Sequence, residues 1–179
     1  MKDVEHLNDL KRQSGFTLIE ALVVMIVGVV ILAAAAAGIG KLFSTSDIST
    51  EANNITQMQA NTKSVKNGGQ GYKGLNNTIA QQYNIVPVNM AQDTTAHTIS
   101  NAWNGAVVFG TASGDQAYTI VYNQVPTEAC TQLAQKLSTA GWGSIDVGGT
   151  KITSASSLAN IGTACSASNS NTMTFTSAS

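Results

Sequence analysis

Glu20 is the residue of this chain hardest to place without chemistry. It stands at the entrance to twenty consecutive uncharged residues, Ala21 to Gly40, where an unpaired carboxylate costs several kcal/mol. An acid kept there needs a cation to meet it. Other reactive groups are sparse: Cys130 and Cys165 are the two cysteines, and His97 is the one histidine beyond residue 6. No His, Cys, Asp and Glu cluster has metal-ligand spacing and no phosphate loop occurs. A lone histidine cannot serve a nucleophile, base and orienter set. Neither a metal nor a cofactor is expected, and no enzymatic activity. Asp146-Val147-Gly148-Gly149 reads as a turn rather than a calcium loop. Trp103 and Trp142 could stack sugars, but core packing explains them better.

The acid must be positioned by the segment that follows it. A helix of such composition is apolar on every side, so it lies in a bilayer or among other helices. Twenty residues at about 1.5 Å each cross the roughly 30 Å hydrocarbon layer. Lys11 and Arg12 precede the run and Lys41 follows it, which places the N-terminus in the cytoplasm and sends the remainder outward. Three readings are open. A secretory signal cut among Ala33 to Ala37 would release a soluble binding domain. A plain single-pass anchor would leave Glu20 unexplained.

The third reading is a family. Ser14-Gly15-Phe16-Thr17-Leu18-Ile19-Glu20, followed by the long apolar helix, resembles the class III leader junction of type IV prepilins and of the related type II secretion pseudopilins. The resemblance implies cleavage after Gly15 by a prepilin peptidase, N-methylation of the new terminus at Phe16, and assembly into a helical filament. It also gives Glu20 a partner, the amino group of a neighbouring subunit. An α-amine with a pKa of about 8 is mostly cationic near neutrality. Pairing across subunits would neutralise two buried charges at once and fix the axial register of one helix against the next.

On this reading residues 1–15 are a leader that is removed, 16–43 a transmembrane and filament-core helix, 44–67 the amphipathic half of the same helical spine, and 68–179 a globular head. The implied partners are further copies of the chain, the peptidase, an inner-membrane assembly platform with its ATPase, an outer-membrane secretin, and a host or recipient cell surface. The implied location is the inner membrane of a Gram-negative bacterium before assembly, and an extracellular pilus after it. Gly28, Gly38 and Gly40 read either as close helix packing or as a stretch that unwinds when the subunit leaves the lipid.

The fold class expected is α+β, a long helix packed on an antiparallel sheet. Ile48, Ala52, Ile55, Met58, Thr62 and Val65 recur at three- and four-residue steps, which carries the helix to about Lys66. Asn67-Gly68-Gly69 supplies the stop. A short helix is predicted around Thr78 to Tyr83, then strands over Ala106 to Thr111 and Ala117 to Tyr122 with Gly114-Asp115 turning between them. A second helix fits Pro126 to Ser138, with Cys130, Leu133, Ala134 and Leu137 on one face. Further strands are predicted at Ser144 to Val147, Thr150 to Thr153 and Asn171 to Thr176. The cysteines lie in the exported part, so a disulfide is expected, against the alternative of two buried thiols.

Beyond residue 15 the chain carries six Lys and no Arg against seven Asp plus Glu. That leaves no basic stripe for nucleic acid. Ile85-Val86-Pro87, Ile99-Ser100-Asn101-Ala102-Trp103-Asn104-Gly105 and Val125-Pro126-Thr127-Glu128-Ala129-Cys130 resemble type IVb pilins, the group of bundle-forming, toxin-coregulated and conjugative-plasmid thin pili. In pilins a C-terminal region bounded by a disulfide is common, and Cys130 and Cys165 would bound it here. The expected function is therefore the major structural subunit of a type IV pilus serving adhesion, aggregation or mating contact. The alternative is a pseudopilin of a secretion piston.

Overall fold

The computed structural model describes residues 17–166 and 170–178, and of 37–43 the main chain alone. The first element is a 47-residue helix, α1, Leu18–Ser64. The chain divides into two compact units, Met1–Leu42 and Phe43–Ser179.

In the first unit α1 begins with a reciprocal cap. The Thr17 main-chain N–H and hydroxyl both donate to Glu20 Oε2 at 3.0 Å, and the Glu20 N–H donates back to Thr17 Oγ1 at 3.3 Å. This threonine and glutamate spacing satisfies amides that the first helical turn otherwise leaves open. The stretch Leu18–Ala36, 19 residues of mean hydropathy 2.8, is long and apolar enough to cross a membrane, and none of it is buried. Leu18, Met25 and Leu32 are 84%, 77% and 71% exposed.

In the second unit α1 becomes one-sided. Ile48, Ala52, Ile55, Met58 and Thr62 are all buried, a stripe at helical spacing that packs on the rest of the unit. After a 3-10 turn at Gly68–Gln70 come α2, Asn77–Gln82, the short strands β1, Ala91–Asp93, and β2, Thr98–Ser100, then β3, Val107–Ala112, and β4, Ala117–Val125. The chain continues through α3, Thr127–Leu137, β5, Trp142–Val147, β6, Thr150–Ile152, α4, Leu158–Ala164, and β7, Asn171–Ser177.

Strands β1 and β2 form a hairpin, and the other five make an antiparallel sheet in the order β3-β4-β7-β5-β6. Alternation sets its faces. Tyr118, Ile120 and Tyr122 of β4, Met173 and Phe175 of β7, and Ile145 and Val147 of β5 are buried, while Thr119, Val121, Thr174 and Asp146 between them are half-buried. Strand β3 is an edge, and Asn77 of α2 closes it. Its Nδ2 donates to the Val107 carbonyl at 2.9 Å and its Oδ1 accepts from the Phe109 N–H at 2.9 Å. A side-chain amide here takes the place of a further strand.

Helix α3 buries Ala129, Cys130, Leu133, Ala134 and Leu137. Cys130 is bonded to Cys165 at the end of α4, with S–S 2.02 Å and Cα atoms 5.8 Å apart. Three features depart from the sequence pattern. The segment 71–102 holds the β1–β2 hairpin in addition to α2, α4 lies where no element was predicted, and β4 runs to Val125 past an irregularity in its pairing with β7. Asn171 Nδ2 donates to the Val125 carbonyl at 3.0 Å and holds that extension in the sheet.

Candidate assembly site

Two carboxylates of α1 are the residues to weigh. Glu20 has its local hydrogen bonds supplied by Thr17, so the side chain needs no other group to start the helix. What that cap does not supply is a positive charge. Gly15 and Phe16, predicted to carry cleavage and methylation, lie outside the described residues. A β-carbon at Gly28 would meet nothing within 4 Å, so nothing in the isolated chain demands a glycine there. Gly38 and Gly40 fall in the segment whose main chain alone is described, and that main chain is helical.

Glu51 is different. It is 3% exposed, its Oε1 accepts from the Ala102 N–H at 2.8 Å and its Oε2 accepts from the Tyr122 hydroxyl at 3.0 Å. Burial pushes its carboxyl above the ordinary value; the Ala102 N–H, the Tyr122 hydroxyl and the Asn54 amide pull the other way, and Asp47 adds to the rise. Burial also pushes the Tyr122 phenol well up, with the Glu51 carboxylate reinforcing it. The loop that Glu51 holds is folded around Asn101, whose Oδ1 accepts from the Trp103 and Gly105 N–H groups at 3.0 and 2.8 Å and whose Nδ2 donates to the Asn123 carbonyl at 2.8 Å. Gly105 is required there, because a β-carbon would run into the Asn123 main-chain oxygen. Glu51 thus joins the helix to both the loop and β4 of the sheet.

The remaining sequence candidates resolve into structure. The Trp142 ring lies 5.3 Å from Phe175 and 6.0 Å from Tyr118, and Trp103 packs against the core. Asp146 Oδ1 accepts from the Gly149 N–H at 2.9 Å and closes the β5–β6 turn, where Gly148 and Gly149 have φ of 57° and 90°. No group of three or more His, Cys, Asp or Glu that could hold a metal occurs among the described residues. Sequence reasoning missed Glu51. Its signal was its place between Ile48 and Ile55, three and four residues away, on the apolar stripe itself.

An exposed apolar helix with one acid in its first turn, continuing into a helix that packs on an antiparallel sheet, with a disulfide in the C-terminal part of the head, is the architecture of a type IV pilin. The chain belongs to the PilS family: the PilS N-terminal family model matches residues 45–178, and the prokaryotic N-terminal methylation motif matches residues 10–36. The crystal structure of a type IVb pilin from Salmonella typhi superimposes with a TM-score of 0.58 at 25% identity, covering 71% of this chain and 97% of that one. An NMR structure of the type IVb pilin PilS from Salmonella typhi aligns with a TM-score of 0.47 at 24% identity, over 73% of this chain and 95% of that one. Among curated proteins, none matches this chain in sequence. Family membership makes the chain a pilus subunit, a structural protein that is processed by a prepilin peptidase and polymerises with itself.

Proposed function

We propose that this chain is the major subunit of a type IVb pilus that serves adhesion, aggregation or mating contact, and that no catalysis is part of its work. Cleavage after Gly15 frees the Phe16 amine, which is methylated, and Glu20 then pairs with that amine on a neighbouring subunit. Residues 16–43 serve first as a membrane anchor and then as filament core, with 44–67 as the packed half of the spine and 68–179 as the head. The subunit passes from the assembly platform and its ATPase through a secretin to the outside of a Gram-negative cell.

The observation that carries this reading is the helix Leu18–Ala36. Its 19 residues are exposed on all sides and uncharged except for Glu20. Such a surface is stable only in lipid or against other apolar helices, and a filament core supplies the second. The test is direct. Sheared surface filaments, analysed by mass spectrometry, should consist mainly of a chain that starts at methylated Phe16. A mature start at Gly38, an uncut Met1, or a chain absent from filaments would overturn the proposal.

A further inference from the structure

Charge along the head's part of α1 is segregated. Asp47 and Glu51 lie one turn apart near its start, Lys63 and Lys66 at and just beyond its end, and residues 52–62 between them carry no charge. The sixteen helical steps from Asp47 to Lys63 put about 24 Å between the two ends at the helical rise. That exceeds the Debye length of about 8 Å at physiological salt, so the ends do not neutralise each other within one copy.

Each end also borders a groove. At the basic end Val65, Tyr72, Leu75, Ile79 and Tyr83 wall a groove of about 230 Å³ with Lys73 on its rim. Lys63, Lys66 and Lys73 are exposed, and Lys66 Nζ sits 5.7 Å from the centre of the Tyr72 ring. At the acidic end Asp47, Glu51, Asn54, Asn89, Asn101 and Asn104 line a groove of about 330 Å³. Among the described residues no lysine is paired with a carboxylate. The Glu51 oxygens are occupied by Ala102 and Tyr122, whereas Asp47 is half-buried at the same groove and open to an incoming ammonium.

Resting on the pilus reading, we propose that the lysine end of one head docks on the Asp47–Glu51 groove of the next copy in the filament, with Asp47 as the anion the lysines meet. The contact joins two different surfaces of one chain. A heterologous contact of this kind runs head to tail, as a helical filament requires, and does not pair two copies by a twofold axis. Complementary charge acts mainly on encounter and register, and this pair lies well away from the Glu20 pairing in sequence. The head would thereby add a second, independent register to the filament.

Carbodiimide, which joins carboxylate to amine with no spacer, tests this on native filaments. Peptide mapping should find Asp47 linked to Lys63, Lys66 or Lys73 in intact filaments and not in detergent-dispersed subunits. Asp47 and Lys63 of one copy are too far apart for a spacerless bond, so that link joins two copies. Asp47→Lys, and separately Lys63→Glu with Lys66→Glu, should each lower sheared-filament yield by at least about tenfold, since like charges facing each other cost several kcal/mol. Combining them should restore most of the yield. Filaments that form normally without any such link, or a combined variant no better than its parents, overturn the contact while leaving the pilus reading in place. A wild-type chain that forms no filaments removes both.

Discussion

Tyr122, on β4 next to the central strand of the sheet, donates its phenolic hydrogen to Oε2 of Glu51 on α1 at 3.0 Å, across 71 residues of sequence. A buried carboxylate held by neutral donors gives the head a pH dependence of definite sign. The folded carboxyl binds its proton more tightly than the unfolded one, so the folded state holds more protons between the two pKa values and stability falls as pH rises through that interval. The interval lies above the ordinary value of 4.5. Thermal unfolding of the mature protein in detergent should show the gain of Glu51→Gln over wild type growing as pH is raised from about 4.5. Glu51→Leu should instead lose stability at every pH, because it strands the Ala102 N–H and the Tyr122 hydroxyl, each worth about 1–3 kcal/mol. Asp93, whose carboxyl is held low by the Ala96 and Thr95 N–H groups, acts with the opposite sign and below its ordinary 3.8, so the two effects separate on the pH axis.

Glu20 can be divided into a cap and a charge. Glutamine still completes the box with Thr17 but carries no charge, so Glu20→Gln should leave helix content, membrane insertion and cleavage at Gly15 intact while filament yield collapses. Thr17→Ala loses the cap and keeps the charge, at a cost of about 1 kcal/mol to the start of the helix, and should assemble far better. Immunoblots of membrane and sheared fractions check both. Equal yields from the two variants would reduce Glu20 to a capping residue.

Reduction should loosen the region from α3 to α4. The Cys130–Cys165 bond closes a span of 35 residues, worth about 4 kcal/mol in the chain-entropy treatment. Cys130→Ser should lower the denaturant midpoint by a corresponding amount and reduce subunit and filament levels together. An unchanged midpoint would mean that α3 and α4 are held by packing alone.

Gly105→Ala should cost about 2–4 kcal/mol, since the added methyl meets the main chain of β4 and not a side chain that can swing away. Gly28→Ala, where the methyl meets open space within one copy, should leave the head's unfolding midpoint unchanged. The comparison needs only two melting curves.

What the sequence declared and what it hid divide along the range of the interactions. The stripe from Ile48 to Thr62 and the apolar face of α3 are local periodicities, and both are buried as their spacing requires. Glu51 could not be placed in this way, because the groups that make its burial tolerable, Ala102 and Tyr122, lie 51 and 71 residues away. The β1–β2 hairpin was illegible for a different reason. Ala91, Gln92 and Asp93 are all exposed, so there is no alternation to read; the turn is made by Asp93 Oδ1 accepting from the Thr95 and Ala96 N–H groups, and Gln81 of α2 donates to the carbonyls of Asp93 and Thr98. Helix α4 is seven residues with Leu158 70% exposed, and its one local sign is the Ser157 cap on the Asn160 N–H.

The central place of β7 has a kinetic consequence. It lies between β4 and β5 although it follows every other strand in sequence. Until residues 171–177 arrive, β3–β4 and β5–β6 are two unconnected hairpins, and lone hairpins are at best marginal in water. For a chain exported from its N-terminus, as the proposed function has it, the five-stranded sheet would be complete only when this last strand arrives. On the export route proposed above, the sheet order would act as a delay, leaving the head unset until its last strand has been delivered.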